Sequence, residues 1–168
     1  MIVTSSGIVD GVIEDKYGCK GKQLNKNGMP TYSLPFKIEG KPEGTKSFAI
    51  ILEDKDAFPV TNGFSWIHWT AANILKDEVK ENESLTAKDF IQGVNSWMSI
   101  QGGSQSAEES SFYGGMSPPN GMHTYELHVF ALDAILDIKP GFMLNELWWK
   151  MEGHILATYT LKGKYSNK

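Results

Sequence analysis

Arginine is absent: all 16 basic side chains in the 168-residue chain are lysines. That gap removes the planar guanidinium fork, so an anion here must be held by backbone N–H groups, histidine, hydroxyls or lysine. With a formal net charge of −4, it also argues against a nucleic-acid partner, which usually calls for a basic stripe rich in arginine contacts. Cysteine is nearly as scarce. The single thiol, Cys19, has no partner for an internal disulfide, in keeping with a reducing compartment, and the lysines of KYGCKGK give a thiolate only weak support. No apolar run approaches the roughly 18 residues of a membrane span, so no integral membrane association is expected. The stretch MIVTSSGIVDGVIEDKYG has no basic start and reaches Asp10, Glu14 and Asp15 before a signal-length apolar segment accumulates, so we expect an uncleaved, cytoplasmic chain.

The apolar fraction of 40% is that of an ordinary globular protein, and the length fits one domain over residues 1–168. Turn signals recur at short spacing, among them Asn27-Gly28, Asn62-Gly63, Gly102-Gly103, Gly114-Gly115, Pro118-Pro119 and Pro140-Gly141. Short apolar or alternating runs separate them, the pattern of a β-sheet protein with long loops. SFAIILED (47–54) predicts a strand buried on both faces, with Asp54 and Asp56 exposed beyond its end. FSWIHWTAANI (64–74) alternates, with Phe64, Trp66 and His68 on one face and Ile67 and Trp69 on the other. TYELHVFALD (124–133) puts Tyr125 and Leu127 opposite Glu126 and His128, and His123 shares the Tyr125 side. Helix is expected over 143–156 from the apolar stripe Leu144, Leu147, Trp148, Met151 and Ile155, and over 85–93. GGSQSAEESS (102–111) is expected to be a flexible loop, and the tail ATYTLKGKYSN a strand.

Three features carry possible chemistry. Asp54 and Asp56 fit either a solvated strand end or a carboxylate pair that shares a cation. His68 fits either a satisfied interior residue or a ligand. The loop GGMSPPNGMHTY combines glycines that let backbone approach a ligand with prolines that fix φ and permit a cis bond, and it delivers His123 and Tyr125; a plain turn is the alternative. His128 and His154 are expected to be structural. No nucleophile elbow, P-loop or metal-spaced histidine pair occurs, so neither cofactor nor metal is expected.

Taken in order, VIEDKYGCKG, YSLPFKIEGKPEGTKSFAIILEDKDAFP, FSWIHWTAANI, YGGMSPPNGMHTYELHVFALD and MEGHILATYTLKGKY resemble the phosphatidylethanolamine-binding protein family, in its bacterial and archaeal Raf-kinase-inhibitor-like branch. The resemblance implies a mainly all-β domain of two packed, antiparallel-rich sheets with a few short peripheral helices. It also implies one pocket for phosphate or a phosphorylated head group, with ligand-binding residues Asp54, Asp56, His68, Gly115, Pro118, His123 and Tyr125. Lys55 and Phe58 replace the prolines of the family's D-P-D-A-P segment, Met116-Ser117 stands where relatives have Pro-Cys, Thr124 replaces the arginine of H-R-Y, and Leu34 replaces a proline. A non-catalytic binder of a small anion, modulating a kinase or protease partner as relatives do, is the first functional expectation. An enzyme acting on a phosphorylated metabolite through an Asp/His acid–base pair is the second. A protein-interaction module using Trp66, Trp69, Trp148 and Trp149 is the third, with a homodimer joined through the helix of Trp148 and Trp149 if those side chains are exposed.

Overall fold

The computed structural model describes residues 1–168. Along the chain run β1 (Ile2–Thr4), β2 (Ile8–Val9), β3 (Val12–Ile13), β4 (Phe36–Glu39), β5 (Ser47–Asp54), α1 (Phe58–Thr61), β6 (Trp66–Ile74), β7 (Glu78–Val79), β8 (Ile91–Gln92), α2 (Ala107–Ser110), β9 (Met122–Leu132), α3 (Leu144–Met151) and β10 (Ile155–Ser166). A large sheet has the order β2-β3-β10-β9-β5-β6-β8, and a small one has the order β1-β4-β7. The architecture is therefore the expected mainly β one of two packed sheets with short helices at the periphery. No helix is long and apolar enough to cross a membrane.

The continuous apolar run of β5 has a structural cause. Flanked by β6 and β9, this strand is covered on both faces. On one face Phe48, Ile50 and Leu52 join Trp69, Leu127 and Val129 against Val3, Phe36, Ile38 and Val79 of the small sheet. On the other, Ala49 and Ile51 meet Phe130, Leu132, Phe142 and the buried stripe Leu147 and Met151 of α3. Alternation fails where one face is not solvent, because both sets of side chains then enter a core.

Several sequence expectations need correction. The helix near the C-terminus stops at Met151, because Gly153 takes φ +78 and turns the chain into β10, so Ile155 belongs to a strand and His154 to the turn between. Residues 85–93 form turns and then β8, where Ile91 and Gln92 pair with β6. The stretch 102–111 is partly ordered: Ser106 and Glu109 form a capping box that starts α2, and Ser110 is buried. The alternation of β6 breaks at His68. Leu52 pairs with Trp69 and Glu53 with Ile67, so His68 is an extra residue in a bulge. Hence His68 and Trp69 both face the side between the sheets, not opposite sides.

Truncating the central strand gives a test of this packing. Ile50→Ala should lower the unfolding free energy by about 2–5 kcal/mol and Ile50→Val by about 0.5–1.5 kcal/mol. Both are read from urea denaturation. A cost of the alanine variant no greater than that of an exposed residue would contradict the two-sided burial.

Candidate functional site

Strand register assembles the site. At the end of β5, Asp54 lies opposite Tyr125 on β9 and opposite Trp66 on β6, so one row across three strands carries a carboxylate, a phenol and an indole. The β6 bulge re-aims His68 into the same place, with its ring 5.1 Å from Tyr125 and perpendicular in sense. A cavity of about 350 Å³ opens beside this row. Asp54, Trp66, His68 and Tyr125 line it, together with Trp97, Ser117, Pro118 and Pro119.

Two glycines seat the proline loop behind it. Gly114 donates its N–H to the His68 carbonyl (2.8 Å), and its own carbonyl accepts from His68 Nδ1 (2.6 Å). A Cβ at Gly114 would meet the Trp97 ring at 2.7 Å, and one at Gly115 would meet the Tyr17 carbonyl oxygen at 2.3 Å, so no side chain fits at either position. Met116 is fully buried, and its carbonyl accepts from Cys19 N–H at 2.7 Å. All peptide bonds are trans, so the loop does not use the cis option that Pro118-Pro119 allowed. Trp97 comes from the opposite side, held in a short turn at Ser96–Met98 whose Ser96 hydroxyl accepts from Ile67 N–H at 2.8 Å.

Asp54 is buried, not exposed as its place at a strand end suggested. Its Oδ2 accepts from His123 Nδ1 at 2.8 Å, and His123 Nε2 lies 2.7 Å from the side-chain oxygen of Asn120. Both ring nitrogens of His123 are thus engaged, and this residue stands behind Asp54 instead of lining the cavity. Asp56 diverges. The chain turns at Lys55–Ala57, leaving Asp56 exposed with its Oδ2 accepting from Thr124 N–H at 2.8 Å, so the two aspartates do not share one site. Of the seven residues expected from the sequence, the cavity gathers Asp54, His68, Pro118 and Tyr125; Asp56, Gly115 and His123 stand outside its lining.

Four polar atoms at the cavity are buried with no partner: Asp54 Oδ1, Trp66 Nε1, His68 Nε2 and Tyr125 Oη. Buried polar atoms are nearly always satisfied, so four in one place form a pattern that asks for complementary groups. A carbonyl can only accept, so the bond to Gly114 fixes the proton on Nδ1 and leaves the neutral ring a lone pair at Nε2. Burial depresses the His68 pKa, against the opposing pull of the Asp54 charge and the Gly114 carbonyl. Burial likewise pushes the Tyr125 hydroxyl up, so it remains a protonated donor. No lysine lines the cavity.

Sequence reasoning missed Trp97 and the site role of Trp66. Trp66 was legible as a neighbour of His68 on one strand face, whereas nothing local to VNSWMS marks Trp97. A second polar cluster lies on the outer face of the large sheet, where His128 Nε2 is 2.9 Å from Glu53 and 3.5 Å from Glu126. His128 therefore faces away from His123, as expected. Lys55 and Lys162 bind Glu126 at 2.6 and 2.8 Å, and the His128 hydrogen bond holds the Glu53 pKa down to about 2. These groups satisfy one another, in contrast to the cavity's four free atoms.

Fold and cavity together define a two-sheet β protein with a polar pocket at the strand ends, and comparison with known proteins makes the assignment specific. The chain belongs to the phosphatidylethanolamine-binding protein family, whose model matches residues 4–166. It is 42% identical over 154 residues to the Bacillus subtilis protein YxkA, covering 89% of this chain and 91% of that protein. It is 34% identical over 161 residues to a Pyrococcus horikoshii protein, covering 93% of this chain and 71% of that one. A Chlamydia trachomatis structure described as a homologue of phosphatidylethanolamine-binding protein superposes with TM-score 0.78 at 29% identity, covering 99% and 97% of the two chains. Escherichia coli YbcL shares the fold with TM-score 0.76 at 23% identity, covering 99% and 98%.

The depressed His68 pKa has a thermodynamic sign. Below the unfolded value of about 6.5 the unfolded chain takes up a proton that the folded chain refuses, so stability falls with pH down to the folded pKa. Urea midpoints should drop between about pH 7 and pH 5.5, and by less in His68→Gln, whose amide can still donate to Gly114. An equal drop in both proteins would show that His68 is not the group responsible.

Proposed function

We propose that the chain is a non-catalytic binding protein for a small anion, a phosphate or a phosphorylated head group, held at Asp54, Trp66, His68 and Tyr125. The observation that carries the reading is the set of four unpartnered buried polar atoms around one cavity. Two are donors, the Trp66 indole N–H and the Tyr125 hydroxyl. Two are acceptors at neutral pH, His68 Nε2 and Asp54 Oδ1. A phosphate dianion would leave both acceptors facing its oxygens. A phosphate that keeps one proton donates to Asp54 and accepts from Trp66 and Tyr125, and protonation of His68 adds a third donor. An ammonium on a head group is a second way to satisfy Asp54. Phosphate monoesters lose their second proton near pH 6, so the singly protonated ligand that suits Asp54 grows more abundant as pH falls, while the buried His68 ring stays neutral over that range until a bound anion raises its pKa.

Family membership supports a role in modulating a partner such as a kinase or protease, with the pocket as the regulated element. The lone cysteine, half-buried and unpaired, suits a cytoplasmic setting. One specific observation favours a second reading. The free lone pair of His68 beside Asp54 would form an acid–base pair once one of the two takes up a proton, so an enzyme acting on a phosphorylated metabolite is the alternative.

Calorimetric titration of inorganic phosphate and of O-phosphorylethanolamine should give saturable binding that is tighter at about pH 5.5 than at pH 7.5. It should weaken by about tenfold or more in His68→Ala and in Tyr125→Phe. Binding that is equally tight at both pH values would remove the proton-coupled account. Release of phosphate from a phosphoester panel, lost in a folded His68→Ala protein, would replace the binding reading with the catalytic one.

A further inference from the structure

The outer edge of β10 is open. Hydrogen-bonded to β9 from Ile155 to Ser166, this strand meets β3 only at Lys164. Lys164 N–H points outward to the Gly11 carbonyl at 2.9 Å. Successive backbone groups of a strand alternate in direction, so the N–H and C=O of Thr158, Thr160 and Lys162 point outward as well. No backbone hydrogen bond reaches them on that side. A bulge near Leu156 bounds the free stretch at one end, and β3 bounds it at the other.

Native edges of this kind are usually blunted by charge, by proline or by brevity. Residues 157–161, Ala-Thr-Tyr-Thr-Leu, contain neither charge nor proline. The apolar surface beside them is also uncovered. Ile155 and Leu156 are 40% and 41% exposed, and Trp148 is 45% exposed. Trp148 stacks edge-on against Phe130, the cross-strand partner of Thr158, so it flanks the middle of the open edge.

We propose that this edge pairs with a second copy of the chain, β10 against β10 and antiparallel, to join the two large sheets into one. The sequence is self-complementary in that arrangement. With Tyr159 on the two-fold axis, Thr158 faces Thr160 of the second copy, Ala157 faces Leu161, and Leu156 faces Lys162. Facing residues then lie on the same side of the joined sheet, as an antiparallel ladder requires, and no like charges meet. The register also stops short of Lys164, which β3 already occupies. An isologous contact of this type closes at two copies, so it yields a dimer and not a fibre.

Sedimentation equilibrium should show a concentration-dependent dimer. Thr158→Pro deletes one outward N–H in each copy while sparing the bonds to β9, and it should weaken dimerisation by about tenfold or more. A charge exchange tests the register itself. Thr158→Glu/Thr160→Glu and Thr158→Lys/Thr160→Lys should each be monomeric, and an equimolar mixture should form a heterodimer, because position 158 faces 160 in the partner. Circular dichroism on each variant checks that the monomers are folded. A wild-type chain that stays monomeric up to about 1 mM would overturn the proposal. So would a dimer that Thr158→Pro leaves intact and whose charge variants do not exchange, since the copies would then meet elsewhere.

Discussion

Everything at the pocket depends on where β5 ends relative to its two neighbours. Pairing with β9 sets Asp54 against Tyr125, and pairing with β6 sets it against Trp66. A slip of one residue would exchange the two faces of β5. Such a slip would carry Ile50 and Leu52 out of the inter-sheet core and turn the Asp54 carboxylate away from His123. The two-sided apolar burial of the strand therefore fixes the position of a polar group at its end. Packing energy and site geometry are the same constraint seen at different residues.

Burying a carboxylate is unfavourable unless it is matched, and the fold matches Asp54 on one oxygen only. His123 serves Oδ2, while Oδ1 is left at the cavity wall. His68 shows the same division, with Nδ1 tied to the Gly114 carbonyl and Nε2 open. In each case one atom anchors the group and the other is offered. The outer face of the sheet supplies a contrast, since Glu53, Glu126 and His128 are partnered by one another, by lysines and by hydroxyls. Similar residue types are thus paired among themselves on one face and left with free atoms on the other.

Much of this was legible in the sequence, and the failures have local causes. The β class, the doubly buried β5 and the clustering of Asp54, His68 and Tyr125 were readable from periodicity and from ordered family motifs. The exact face of Trp69 was not, because a bulge adds one residue without leaving any mark of composition. Periodicity alone extends the helix over 143–156 because Ile155 continues a 3.6-residue stripe, although the neighbouring Gly153 carries the stop signal. Asp56 was misplaced because spacing of two implies a shared face only while the chain stays extended, and it turns at Lys55–Ala57. Trp97 was out of reach: it arrives from a distant turn that only tertiary contacts bring to the cavity.

The lack of arginine in the sequence and of lysine at the cavity has a kinetic corollary. Clefts lined by one sign of charge draw counter-charged ligands from a distance and speed their arrival. Here the wall offers dipoles and one partly compensated carboxylate, whose reach is a few ångströms. For a ligand bound as proposed, arrival would be left to unaided diffusion, and discrimination would fall on the moment of contact, when the pattern of donors and acceptors is either met or not. A pocket of this kind, if it binds as proposed, would respond to chemical identity far more than to the ionic strength of its surroundings.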